Sequence, residues 1–175
     1  MNLNKRRRML TKTGETLYFN PVTGQYYPRI LDFTPTATYS GTLSNRWARC
    51  TYLEEATIKN ATSIGRANWG NEPFEKCTNL KKLIITHGCS DGNTYIATGC
   101  PKLEYIQIGS IGHVNHKLYG SSFSGSGASA ANKTLTVYVT DTETIPVSGA
   151  PWGFTGATVI YRSSTTGEIR EVPTE

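Results

Sequence analysis

A short block recurs along this chain and constrains its fold more than any other feature. Cys50-Thr51-Tyr52-Leu53-Glu54-Glu55-Ala56-Thr57-Ile58 is followed by Cys77-Thr78-Asn79-Leu80-Lys81-Lys82-Leu83-Ile84-Ile85. A third copy is Cys100-Pro101-Lys102-Leu103-Glu104-Tyr105-Ile106-Gln107-Ile108. The cysteines stand 27 and then 23 residues apart. Within each block apolar residues alternate after the Leu, the period of a strand with one buried face. Self-similarity at this period predicts a solenoid, in which each unit buries its apolar side only by stacking on the next. Such a chain offers extended surfaces more readily than an enclosed active-site pocket.

Composition agrees. Apolar residues make up 37% of the 175, low for a sphere but workable for an elongated stack. Tyr outnumbers Phe ten to five, which leans towards half-exposed pleats. No run approaches the roughly 18 apolar residues of a membrane-spanning helix, so membrane insertion is not expected. Of the formal charge of +5, four charges come from Lys5-Arg6-Arg7-Arg8. Residues 1–14 are expected to be a disordered basic tail, with no specific nucleic-acid partner. Met9-Leu10-Thr11-Lys12-Thr13-Gly14 supplies no apolar core for a secretory signal peptide.

Thr16–Phe19 and Gln25–Pro28 read as a hairpin turned by Asn20-Pro21-Val22-Thr23-Gly24, with Gly24 supplying a positive φ. Residues 15–40 are thus expected to cap the first coil, with an aromatic peptide- or sugar-binding patch as the sharper reading of the hairpin. Repeats are expected over 41–140, including a fourth strand, Thr134–Val139. The small-residue run Gly120–Ala130 reads as a flexible loop. Over 141–175, Ala157–Tyr161 and Glu168–Val172 joined at Thr165-Thr166-Gly167 read as a second hairpin protecting the other end. Trp47 and Phe74 each stand three residues before a repeat Cys and are expected to anchor the turns.

Stacked cysteines about 5 Å apart invite a disulfide or metal reading. The close Cys-x-x-Cys pair usual for zinc is absent, so Cys50, Cys77 and Cys100 are expected to be buried free thiols. His113 and His116 lie in a loop without a third ligand, and Cys89 with His87 is too close in sequence to imply a nucleophile and its base. Neither Gly-rich stretch carries the Lys-Ser/Thr of a phosphate loop. The expectation is therefore a non-enzyme with no catalytic residues, cofactor or metal.

The pattern Ser63-Ile64-Gly65, a bulky aromatic, then Cys77-x-x-Leu80-x-x-Leu83-x-Ile85 resembles the BspA-type (Treponema pallidum-type) leucine-rich repeat, over about a hundred residues. The resemblance implies a short right-handed solenoid, mainly β, with a parallel strand face, irregular turns or short helices opposite, and β-hairpin caps at both ends. It implies a bacterial adhesin-like module, extracellular or on the cell surface, binding a protein or glycan. The closing Ala150–Tyr161 segment is similar to the end of some phage-associated repeat proteins, so the alternative is a tail- or fibre-associated component of a phage or prophage virion, partnered by phage structural proteins.

On the outward face the aligned columns are Glu54, Lys81, Glu104, then Glu55, Lys82, Tyr105, then Thr57, Ile84, Gln107 with Tyr138. The first is expected to be a register-fixing charge ladder. The candidate partner-binding residues are Glu55, Lys82, Ile84, Tyr105, Gln107 and Tyr138.

Overall fold

A computed structural model describes residues 7–37, 43–61, 64, 72–86, 95–113, 118, 120–142, 145 and 148–172. The expectations about Ser63, Gly65, His87, Cys89 and His116 lie outside these residues. The described residues form strands and turns and no helix, so what is described of the side opposite the strand face is built of turns.

The strands are β1 (Arg8–Leu10), β2 (Thr16–Phe19), β3 (Tyr26–Tyr27), β4 (Ile30–Phe33), β5 (Glu55–Ile58), β6 (Lys82–Ile85), β7 (Tyr105–Ile108), β8 (Thr134–Val139), β9 (Thr158–Ser163) and β10 (Ile169–Arg170). One sheet is β1-β2-β3; the other is β10-β9-β8-β7-β6-β5-β4. Strands β4 to β9 are parallel throughout, so the chain winds as a β-solenoid of about four turns. The parallel sheet therefore reaches beyond 41–140 at both ends.

The alternation read from the sequence sets the packing. Ala56 and Ile58, Leu83 and Ile85, and Ile106 and Ile108 point inward and are buried, while their neighbours are half-exposed. Leu53, Leu80 and Leu103 complete each inner layer with no exposed surface.

The repeated Cys has a more specific role than a small apolar filler. The Cys77 thiol donates to the Trp47 carbonyl and the Cys100 thiol to the Phe74 carbonyl, both at 3.1 Å. In the next coil the Ser126 hydroxyl takes the same place, donating to the Ala97 carbonyl at 2.9 Å. At the open end Asn20, from the first hairpin's turn, donates to the Ala48 carbonyl at 2.7 Å and to the Cys50 sulfur at 3.2 Å. A small buried donor at this position satisfies a carbonyl of the preceding coil that water cannot reach. Cys50, Cys77 and Cys100 are buried free thiols, as expected. Burial pushes the Cys50 thiol up to about 12 and the Cys77 thiol well above its usual range.

Backbone bonds join the turn side as regularly. Arg49, Lys76 and Gly99 lie in the left-handed region, and their N–H groups donate to the carbonyls of Glu75, Thr98 and Ser124 one coil on. Trp47 and Phe74 anchor this side as predicted, their rings stacked 5.2 Å apart and 11° from parallel.

Two expectations change. Arg8–Leu10 pairs antiparallel with Leu17 and its neighbours, so part of the anticipated basic tail is strand. Gly120–Ala130 is not a free loop: Ser122, Phe123, Ser126 and Gly127 are buried within the fourth coil. A Cβ on Gly127 would lie 2.6 Å from Phe154 Cε2 and 3.0 Å from the Leu103 carbonyl, so small residues there serve close coil contact. Low complexity looked like flexibility because the sequence does not display its neighbouring coils.

Candidate functional site

The parallel register decides which outward side chains meet. Glu55, Lys82 and Tyr105 are aligned in one row, flanked by Ile30 on β4 and Thr134 on β8. Thr57, Ile84 and Gln107 form the next row, as expected. The place assigned there to Tyr138 belongs to Thr136, which is paired with Gln107. Tyr138 is two residues further on, in the row of Arg162, because Leu135 of the longer β8 aligns with Ile106. Matching the core positions Leu135 and Ile106, instead of seeking an aromatic, would have given this register.

The shift places Tyr138 usefully. It lies beside Gly109, where an added Cβ would come within 3.1 Å of the Tyr138 Cβ. The Tyr105 hydroxyl donates to Gln107 Oε1 at 3.1 Å, and Gln107 Nε2 donates to the Gly109 carbonyl, also at 3.1 Å. A bonded run thus leads from Tyr105, at the start of β7, through Gln107 to Gly109, which lies beside Tyr138 near the end of β8; the three side chains are half-buried, with Ile84 next to Gln107. Glu55 and Lys82 stand to one side as an ion pair at 3.9 Å.

Of the expected charge ladder Glu54, Lys81, Glu104, the Glu54–Lys81 rung forms, and Arg29 extends it on the other side. Glu54 receives Arg29 Nε at 3.8 Å and Lys81 Nζ at 3.9 Å. These cations keep half or more of their side-chain surface exposed, so each pair contributes about 0.2–1 kcal/mol and mainly sets register.

On the turn side Glu75 is clamped by Lys76 Nζ at 3.0 Å and Arg49 Nε at 3.4 Å. Burial alone would raise its carboxyl, but these two cations outweigh it and hold the group below the usual carboxylate range. Nearby Glu72 is 1% exposed; its Oε1 accepts from the Thr98 hydroxyl at 3.1 Å, and its Oε2 has no hydrogen-bond partner among the described residues. Among the described residues no group of three or more His, Cys, Asp and Glu could hold a metal ion. His113, the one described histidine, is exposed and bridges through its backbone to Ser110.

The sequence reading did not assemble a cleft of about 510 Å³ between the first hairpin and the first coil. Its floor includes Tyr27, Leu31 and Cys50; Tyr26, Phe33 and Trp47 form its aromatic wall; Thr23, Gln25, Asn45 and Arg46 supply its polar groups. The Arg46 guanidinium lies 5.0 Å from the Phe33 ring centre and 5.6 Å from that of Trp47. The hairpin's aromatics were the available signal; Arg46, Phe33 and Trp47 join them only through the winding of the first coil.

The chain matches no protein-family model, no curated protein and no solved structure.

Proposed function

We propose that this chain is a non-enzymatic recognition module of the BspA-like leucine-rich-repeat type, binding a protein or glycan partner through its strand face. The observation that carries the reading is the hydrogen-bonded run from Tyr105 through Gln107 to Gly109, with Tyr138 beside Gly109. Tyrosines held on a rigid sheet lose little rotamer freedom on binding, and each offers a ring and a hydroxyl to a partner. Ile84 adds apolar area beside them, and the Glu55–Lys82 pair provides a charged rim. The Cys-x-x-Leu spacing, with buried apolar residues three and five positions after the Leu in the coils of Cys50, Cys77 and Cys100, supports the repeat assignment.

The test is binding of labelled protein to panels of intact bacterial and epithelial cells, with Tyr105→Ala/Tyr138→Ala alongside. Saturable binding that the folded double variant loses by tenfold or more is expected. Equal binding by the two proteins would overturn the strand-face assignment.

A second reading is a phage or prophage particle component. It is favoured by exposed Ile111 and Ile169, both on the side of the closing hairpin, where Gly167 approaches Ile111. A symmetric oligomer in solution would favour it; a monomer would count against it.

A further inference from the structure

We infer that β1 and β10 are the two halves of a head-to-tail contact between copies of this chain, the β1 edge of one copy adding antiparallel to the β10 edge of the next. This contact lies at the ends of the solenoid and depends on neither reading of its function. Among the described residues β1 pairs only with β2 and β10 only with β9, so each presents an open edge. An open edge is a template for a further strand. Apolar exposure gathers at the same two places. Leu10 at 69% and Ile169 at 62% are the most exposed large hydrophobic residues among those described, with exposed Met9 and Val172 close by in the chain.

The hydrogen bonds inside each hairpin fix which backbone groups face outward. The Arg7 carbonyl accepts from the Phe19 N–H at 3.0 Å, and the Thr11 N–H donates to the Glu15 carbonyl at 2.8 Å. Bonded and non-bonded pairs alternate along an antiparallel ribbon, so the N–H and C=O groups of Arg8 and Leu10 point away from β2. On the closing hairpin the Glu168 carbonyl accepts from the Ser163 N–H at 2.8 Å, which turns the backbone groups of Ile169 and Glu171 away from β9. Both edges thus offer two bonding residues at a spacing of two. Joined antiparallel, they set Arg8 opposite Glu171 and Leu10 opposite Ile169, a charge pair and an apolar pair on directly facing positions. A parallel joining would face Arg8 with Ile169 or Leu10 with Glu171 and lose both matches.

Charge selects the partner. Arg7, Arg8 and Lys12 are exposed on and beside β1, against the single carboxylate of Glu15 in the same hairpin. On the closing hairpin Arg162 and Arg170 are turned onto the chain itself, donating to the Gly167 and Thr140 carbonyls, whereas Glu168 and Glu171 are exposed. Two β1 edges would set like charges together, as would two β10 edges, and only unlike edges bring opposite charges into register. Every copy carries one edge of each kind, so the contact is heterologous and extends into a row or closes into a ring. Strands this short bury less area than a stable interface needs, so the contact is weak and shows at high concentration.

The test is analytical ultracentrifugation of the full chain from about 10 µM to about 1 mM, in low salt and in about 0.5 M salt. The weight-average mass is expected to rise with concentration, and to rise less in high salt. Proline in place of Leu10 or Ile169 removes an outward N–H and spares the bonds to β2 or β9. Leu10→Pro and Ile169→Pro should each stay monomeric alone. Their equimolar mixture should form a one-to-one complex, because the first keeps its β10 edge and the second its β1 edge. Arg8→Glu should weaken self-association about tenfold or more, and Arg8→Glu/Glu171→Arg should restore it. Arg8 and Glu171 are exposed, so these charge variants should keep the wild-type circular dichroism, and they decide the matter if a proline variant does not fold. Tyr105→Ala/Tyr138→Ala should self-associate as wild type does, which separates this contact from the strand face. A wild-type chain still monomeric at the highest concentration, self-association by folded Ile169→Pro alone, a mixture of the two folded proline variants without a complex, or an Arg8→Glu/Glu171→Arg chain no stronger than Arg8→Glu would overturn the proposal.

Discussion

The turn side and the strand face of the same coils are built by opposite rules. On the turn side the repeated groups are spent on the neighbouring coil. Thiols and one hydroxyl donate to carbonyls of the preceding coil, Trp47 stacks on Phe74, and left-handed residues hand their N–H groups to the next turn. On the strand face the backbone carries the stack, helped by exposed ion pairs such as Glu54–Lys81, while the outward side chains change from coil to coil. Glu55, Lys82, Tyr105 and Thr134 occupy equivalent places yet run from an anion to a cation to neutral hydroxyls. A solenoid can vary only what its stacking does not use, so recognition falls naturally to the strand face and to the ends. The fourth coil sharpens the point: Ser126 replaces the repeated Cys without breaking the ladder, so the position requires a small donor and does not require sulfur.

The inner layer offers the largest test of this contrast. Leu103 has no exposed surface, and Leu103→Ala should lower stability by about 2–5 kcal/mol in chemical denaturation. A variant as stable as wild type would mean that the layers are not continuous.

The thiol ladder gives an intermediate effect that depends on pH. Cys50 is pushed up to about 12 in the folded chain, against about 8.5 for an unperturbed thiol. The fold thus binds this proton more tightly than the unfolded chain does. Its contribution is complete below about pH 8.5 and is lost as pH rises towards 12, by up to about 1.4 kcal/mol per pH unit. Burial also raises Cys77, Tyr27 and Tyr161, which adds to the same trend. Thermal melts across pH 7 to 11 should therefore fall steeply at the alkaline end. Cys50→Ser, which does not titrate there, should make that fall shallower by about one proton; an unchanged slope would mean that Cys50 is not sealed.

The strand face should respond least. Lys82 keeps 44% of its side-chain surface exposed, and Lys82→Ala should change stability by no more than about 0.5 kcal/mol. A loss of several kcal/mol in the same denaturation experiment would erase the distinction between the two sides.

What the sequence by itself determined is what repeats locally. The Cys-x-x-Leu spacing marked the coils, period-two alternation assigned inner and outer residues of β5, β6 and β7, and Asn20–Gly24 announced the first hairpin. These features are legible because each depends on backbone geometry within a few residues. Tertiary structure alone decided the rest. Tyr138 stands beside Gly109 because β8 aligns by its buried Leu135, an alignment set by the neighbouring strand. Gly120–Ala130 is packed coil because Phe154 and Leu103 press on it from other turns. The aromatic cleft forms because the winding of the first coil brings Phe33, Arg46 and Trp47 to the hairpin's Tyr26. Stacking contacts join residues some 25 positions apart, and no local pattern records which side chains they bring together.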